Sequence, residues 1–267
     1  MSLFEAIILG VIQGATEFLP ISSSGHLIAV PWLLGWKEHS LAFDIALHLG
    51  TLFAVAGALL GDWIRMIKGA FSSLRTHGNP FLSEDGRRLG FLAVASIPGG
   101  IFGLLLDDLA ESTFRSAALV AVSMAIMGLV LWIADSRSAG GRGLAAWTLR
   151  DALLMGFAQS MALVPGVSRS GATISAARFL GYERDAAARL SFLMALPLTL
   201  GAVMLKVPKM LAGGIELSLV AGILTAAVVG IFSIRILFVW VRTRSYLPFV
   251  LYRFAFSAII LAVWFTK

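Results

Sequence analysis

Cysteine is absent from the 267 residues, which excludes disulfides, thiolate catalysis and cysteine-ligated metal sites. Charge is scarce. Asp, Glu, Lys and Arg make up 13% of the chain, against about 25% in a typical soluble domain. No long polar stretch interrupts the sequence, so no separate water-soluble domain is expected. The start, MSLFEAIILG, lacks the basic stretch and small-residue cleavage site of a signal peptide, and is read as part of the mature fold. What fills the chain is apolar: 58% of residues are hydrophobic and the mean hydropathy is +0.89. That is more apolar surface than one water-facing core buries, and a bilayer is the natural solvent for it. The net charge of +6 fits the habit of membrane proteins to keep Lys and Arg in short cytoplasmic loops. Without a basic stripe interleaved with aromatics, it does not point to nucleic acid.

Six segments have the length and apolarity of spanning helices: 41–60, 89–106, 116–134, 186–205, 217–240 and 247–265. Two other apolar regions are broken in the middle, 2–35 by LPISSSGH and 151–181 by VPGVSRSGAT. Each half is short for a crossing. Polar, Gly/Pro-rich backbone at membrane depth is tolerated only where protein or a watery cavity satisfies it. Both regions therefore read as re-entrant helix–loop–helix hairpins.

The two hairpins are copies. With residues 10–35 set against 156–181 without gaps, eight of 26 positions match. They are Gly10/Gly156, Gln13/Gln159, Ser22/Ser168, Ser24/Ser170, Gly25/Gly171, Ile28/Ile174, Leu34/Leu180 and Gly35/Gly181. Three spanning segments follow each hairpin. Three is odd, so the second copy should enter from the opposite side. The expected fold is an all-α polytopic membrane protein with an inverted repeat: repeat one over 1–134, a cytoplasmic linker over 135–150, and repeat two over 151–267. That arrangement places broken-helix tips near the midplane around one site.

Loop charges give an orientation. Segment 61–88 carries Arg65, Lys68, Arg75, Arg87 and Arg88, and segment 135–150 carries Arg137, Arg142 and Arg150. Segment 107–115 is acidic, with Asp107, Asp108 and Glu111 against Arg115 alone. The first two are assigned to the cytoplasm and the third to the other side. Arg242 and Arg244 agree with this; Lys206 and Lys209 fall on the outer side and oppose it. Both termini then lie outside.

The first break reads QGATEFLPISSSGH. Gln13 and Glu17, four apart, share one helix face. A carboxylate at membrane depth is expensive and usually functional. Ser22, Ser23 and Ser24 lead into Gly25 and His26. The second break, PGVSRSGAT, is rich in donors: the hydroxyls of Ser168, Ser170 and Thr173, the Arg169 guanidinium, and amides freed by Gly166 and Gly171. Such loops collect anions at helix N-termini, and Arg adds a fork matched to phosphate oxygens. Ser23 aligns with Arg169. Copy one thus supplies nucleophile, base and carboxylate, and copy two supplies a phosphate clamp. Together they suit phosphoryl transfer.

The two motifs strongly resemble those of the BacA-type undecaprenyl-diphosphate phosphatases, a Gly-x-x-Glu stretch running into Ser-Ser-x-Gly-His, and Pro-Gly-x-Ser-Arg-Ser-Gly-Ala-Thr. The resemblance extends over essentially the whole chain. It implies hydrolysis of undecaprenyl diphosphate to undecaprenyl phosphate and phosphate in the inner (plasma) membrane of a bacterium. That reaction recycles the carrier lipid for cell-wall synthesis and is associated with bacitracin resistance. The resemblance makes Glu17, Ser23, His26 and Arg169 the functional core, with Ser22, Ser24, Gly25, Gly166, Ser168, Ser170, Gly171 and Thr173 around the phosphates. It also implies Mg²⁺ or Ca²⁺, for which Glu17 and Gln13 are the metal residues, and a homodimer. Gln13 departs from the Glu of many relatives; an amide can ligate a cation or orient Glu17, but cannot act as a base.

The attacking group is Ser23 with His26 relaying its proton, His26 itself, or water. The partners expected are the polyprenyl diphosphate and the bilayer, with no nucleic acid, and the site is expected to open on the extracytoplasmic side. A lipid or anion transporter of inverted-repeat type is the rival class. The asymmetry of the copies, Ser-Gly-His opposite Ser-Arg-Ser, argues for split catalytic roles instead. Asp44 and His48, four apart, are placed at the interface or the cavity mouth, and Trp132, Trp240 and Trp264 at the membrane interfaces. Gly99, Gly100 and Gly103 suit close helix packing.

Overall fold

The computed structural model describes residues 1–106, 109, 116–138, 140–212 and 214–266. Asp107, Asp108, Glu111 and Arg115, and the side chain of Lys209, lie outside the described residues. Eleven α-helices are described: α1 (Leu3–Phe18), α2 (Ser23–Leu34), α3 (Leu41–Ala58), α4 (Leu60–His77), α5 (Glu84–Leu105), α6 (Ala117–Arg137), α7 (Leu149–Ser160), α8 (Arg169–Phe179), α9 (Arg184–Ala212), α10 (Leu217–Val241) and α11 (Leu247–Thr266). Hydroxyl residues cap many of their starts. Ser2 and Thr148 form reciprocal capping boxes with Glu5 and Asp151, and Ser22, Ser40, Ser83, Ser116 and Ser168 each accept one backbone N–H of their first turn.

Helices α5, α6, α9, α10 and α11 are long and apolar enough to cross a membrane, and α3 with α4 qualifies as a bent pair. The chain is a polytopic all-α membrane protein. One expectation needs correction. Segment 61–88 is largely helix rather than loop, because α4 follows α3 after a single residue at a 67° bend. Its apolar residues Leu60, Ile64, Ile67, Phe71 and Leu74 recur every three or four positions and are exposed, while Met66, Ala70 and Ser73 face the protein. The charges there decorate an amphipathic helix. Helix α9 also runs longer than 186–205 and carries Pro197 and Pro208 within it.

Two ends of the bundle can be told apart. At one, which is basic, the end of α6 and the starts of α9 and α11 converge on Asp135. Arg178 and Arg184 donate to its Oδ1 at 3.1 and 2.8 Å, and the Tyr246 amide donates to Oδ2 at 3.1 Å. Hairpin two begins here, where Arg142 and Tyr182 each donate to Asp151 Oδ2 at 2.6 Å. Burial would raise the Asp151 carboxyl, but the bonds from Arg142, Tyr182 and Thr148 outweigh it and hold it below the ordinary carboxylate range. At the opposite end, Ile45 and Ala46 near the start of α3 pack with Met210 and Leu219 of α9 and α10. Helix α1 runs parallel to α10 from that end, with Gly10 against Gly222 and Gly14 against Ala226 and Gly230. The two hairpins therefore enter from opposite ends.

The copies also pack alike, each against the other half. Helix α1 lies on α10, and α7 lies on α5. The matched glycines sit at these crossings: a Cβ on Gly10 would stand 2.9 Å from the Gly222 carbonyl oxygen, and one on Gly156 would stand 2.6 Å from that of Ala95. Small residues let helix backbones approach where lipid supplies no hydrophobic drive. Gly14→Val is expected to destabilise the fold by about 1–3 kcal/mol or more, because the new Cβ meets Ala226 O at 2.7 Å and Gly230 N at 2.8 Å, both backbone. A lower melting temperature in detergent checks this; an unchanged one would show that α1 and α10 separate freely.

Candidate active site

The repeated tips are built by the same local device. Among the described residues, Ser22 and Ser168 are the non-glycine residues with positive φ, at 75° and 73°. Each turns the chain into a new helix, and its hydroxyl accepts the N–H of Gly25 or Gly171. Each hydroxyl also meets that of the serine two residues on, Ser24 at 3.3 Å and Ser170 at 3.1 Å. Left-handed backbone at a serine is strained, and it persists here because the surrounding contacts over-determine it. The result brings two helix N-termini, α2 and α8, to one place between the halves. Both carry partial positive charge.

Glu17 sits between them. It is 8% exposed and lies one residue from the end of α1. Its Oε1 accepts from Arg169 Nη2 at 2.6 Å, across the two hairpins. Its Oε2 accepts from Ser23 Oγ at 2.6 Å and from Gln13 Nε2 at 3.1 Å. Arg169 is held from its other side by Thr199 of α9, with Nη1 donating to Oγ1 at 3.0 Å. His48 Nε2 stands 3.9 Å from Glu17 Oε2, and its Nδ1 is fixed on the Asp44 carbonyl at 2.8 Å. His48 is partly exposed.

The structure thus brings Gln13, Glu17, Ser23 and Arg169 into one hydrogen-bonded cluster. His26 goes elsewhere. Its Nδ1 lies 2.6 Å from the Ser22 carbonyl, which can only accept, so Nδ1 carries the hydrogen. Its Nε2 meets the Tyr252 hydroxyl at 2.7 Å, and its ring stacks on Phe256 with centroids 4.4 Å apart. The hydroxyls of the second break are likewise occupied by the fold. Ser170 donates to the Leu19 carbonyl, and Thr173 donates to the Arg169 carbonyl and meets Ser191. Gly25 packs against Gly166, a close approach between the breaks. Asp44 pairs with His39 at 2.6 Å near the start of α3.

Thr199, Tyr252 and Arg253 are near-site residues that sequence reasoning did not pick out. Arg253 carried a readable signal as a lone charge within the apolar run 247–266. Thr199 carried none, since a threonine in a spanning helix is unremarkable by itself.

The family described as "Bacitracin resistance protein BacA" matches residues 6–259. The chain belongs to that family. Curated relatives named "Undecaprenyl-diphosphatase" match along their whole length. One from Gemmatimonas aurantiaca is 46% identical over 263 residues, covering 98% of each chain. One from Moorella thermoacetica is 45% identical over 267 residues, covering 100% of each. One from Geobacter sulfurreducens is 43% identical over 272 residues, again with 100% coverage of both. The BacA match spans both hairpins, so the Glu17–Arg169 junction lies inside it.

Proposed function

We propose that this chain hydrolyses undecaprenyl diphosphate to undecaprenyl phosphate and phosphate, and that the cluster around Glu17 performs the reaction. The observation that carries this is a single carboxylate joined to a hydroxyl on one oxygen, Ser23, and to a guanidinium on the other, Arg169. A buried base touching a hydroxyl activates it as a nucleophile. Ser23 Oγ attacks the terminal phosphorus while its proton passes to Glu17 Oε2. The bond from that phosphorus to the bridging oxygen breaks, and undecaprenyl phosphate leaves. Water then cleaves the phosphoserine and releases phosphate. Arg169 and the N-terminal amides of α2 and α8 face the charge that develops on the phosphoryl oxygens.

In this reading His26 does not relay the serine proton. It braces the tip of hairpin one against α11 through Tyr252. A divalent cation fits the site as a companion of the diphosphate. Gln13 Oε1 is a buried acceptor without a donor among the described residues, and together with Glu17 it offers oxygen ligands. No group of three or more His, Asp or Glu among the described residues holds a metal alone. Mg²⁺ commonly binds in this way, through one or two protein oxygens plus substrate phosphates and water. It would neutralise charge on the diphosphate oxygens of the substrate.

The carrier lipid returns to cell-wall synthesis, which accounts for the family's link to bacitracin resistance. The location that fits is the bacterial inner membrane, with the basic end cytoplasmic and the site opening outward past His48. A homodimer fits the open space beside Gly100 and Gly103 on α5, whereas Gly99 is already used against Leu198. The test is phosphate release from undecaprenyl diphosphate by the purified protein in detergent. Release is expected from the diphosphate and not from undecaprenyl phosphate, with loss under a chelator and recovery with Mg²⁺ or Ca²⁺. No release from folded protein supplied with lipid and cation would overturn the reading.

A further inference from the structure

Arg253 lies within α11, about two turns from its start, and is 0% exposed. A guanidinium at membrane depth normally faces a carboxylate or a watery cavity. This one has no ion-pair partner among the described residues. Its donors go to four backbone carbonyls instead. Nε donates to Met124 at 3.0 Å on α6, Nη1 to Pro20 at 3.0 Å in the first break, and Nη2 to Gly166 at 2.7 Å and Val167 at 3.1 Å in the second.

The positions of those carbonyls matter. Pro20 precedes Ser22 by two residues, and Gly166 and Val167 immediately precede Ser168. These are the residues before the two positive-φ caps. Carbonyls at a helix break must be satisfied inside protein. Here one planar fork satisfies them for both copies at once, in a geometry that fixes how far apart the tips stand. The guanidinium also lies directly behind α8, with Nη1 3.3 Å from where a Cβ on Gly171 would be. Its charge therefore adds to that of the two helix N-termini without touching the substrate side, where Arg169 already stands.

We infer that Arg253 is the positioning residue of the phosphatase site, a buried fork that sets the spacing of the two tips and so aligns Ser23 with Arg169 across the phosphoryl group. The inference rests on the proposed phosphatase reading. It concerns the chemical step rather than substrate capture, because Arg253 is 0% exposed and its donors are taken up by backbone carbonyls. A misplacement of about 1 Å at reacting groups costs on the order of 10²-fold in rate. Ser123 provides an independent tie to the second tip, with Oγ donating to the Pro165 carbonyl at 2.6 Å.

The experiment uses the full chain in detergent with undecaprenyl diphosphate, and compares wild type with Arg253→Lys, Arg253→Met and Ser123→Ala. Rates are normalised to folded protein by size-exclusion profile and melting curve. Arg253→Lys keeps the charge but loses the fork; its kcat is expected to fall about 10²-fold with KM within about threefold of wild type. Arg253→Met is expected to fall further, and Ser123→Ala to lose less in the same direction. A kcat per folded molecule within twofold of wild type in Arg253→Lys would overturn the inference, as would a loss confined to KM. Should Arg253→Met fail to fold, the lysine and Ser123 variants decide the matter alone. An inactive wild type would instead sink the phosphatase reading, and is thereby distinguishable.

Discussion

Arg169→Ala is expected to lower phosphate release by about 10³-fold or more, since removal of one preorganised donor facing a developing oxyanion already costs about 10²–10³ in kcat. Arg169 is more than a neutral donor. It carries full charge and is held at both terminal nitrogens, by Glu17 at 2.6 Å and Thr199 at 3.0 Å, so little reorganisation is needed when a phosphoryl group arrives. The same substitution breaks a buried ion pair, and leaving one partner uncompensated costs about 3–5 kcal/mol of stability. Two effects of similar size are thus expected, one on chemistry and one on folding. The double variant Arg169→Ala/Glu17→Gln reads the folding effect, since it removes both charges and should recover much of the melting temperature. The chemical effect is read as release per folded molecule of Arg169→Ala itself. A rate per folded molecule within about tenfold of wild type would show that Arg169 acts through the fold alone. Arg169→Lys should retain part of the rate, because a point charge remains but the bidentate fork is lost.

The two hairpins were legible in the sequence for a physical reason: polar, glycine-rich backbone is costly at membrane depth, so LPISSSGH and VPGVSRSGAT stand out. The alignment of Ser22 with Ser168 and Gly25 with Gly171 corresponds to matched caps in space, down to the positive φ. Glu17 and Arg169 were each legible as the charged residue of its break; that the two meet in one ion pair is what the structure adds. Side-chain direction was not legible. Ser-Gly-His reads as a nucleophile beside its base, yet His26 bonds its own cap carbonyl and turns toward Tyr252, a residue of the last helix. No spacing within the motif encodes which neighbour helix lies there. Helix α4 reads as a loop because Arg65, Lys68 and Arg75 mask an apolar period of three to four. The exposed row Leu60, Ile64, Ile67, Phe71 and Leu74 was present in the sequence all along.

The structure also distinguishes the three serines, which the sequence leaves equal. Ser22 caps α2 and its hydroxyl is taken by the Gly25 amide, while Ser24 leans on Ser22. Of the three, Ser23 alone donates to a carboxylate, at 2.6 Å, and it remains partly exposed. Ser23→Ala is therefore expected to lower kcat by about 10³-fold or more, as loss of a covalent nucleophile does, with no matching loss of stability. Ser22→Ala should do the reverse: it costs about 1 kcal/mol of stability through the lost cap, with a smaller effect on rate. Rapid quenching with substrate labelled in its terminal phosphate adds a direct readout. Label should appear on the wild-type protein within the first turnover and be absent from Ser23→Ala. A Ser23→Ala enzyme that keeps within about tenfold of the wild-type rate would leave Glu17 oriented toward water rather than a hydroxyl. The attack would then come from a water in the space the serine vacates, with Arg169 unchanged in its role.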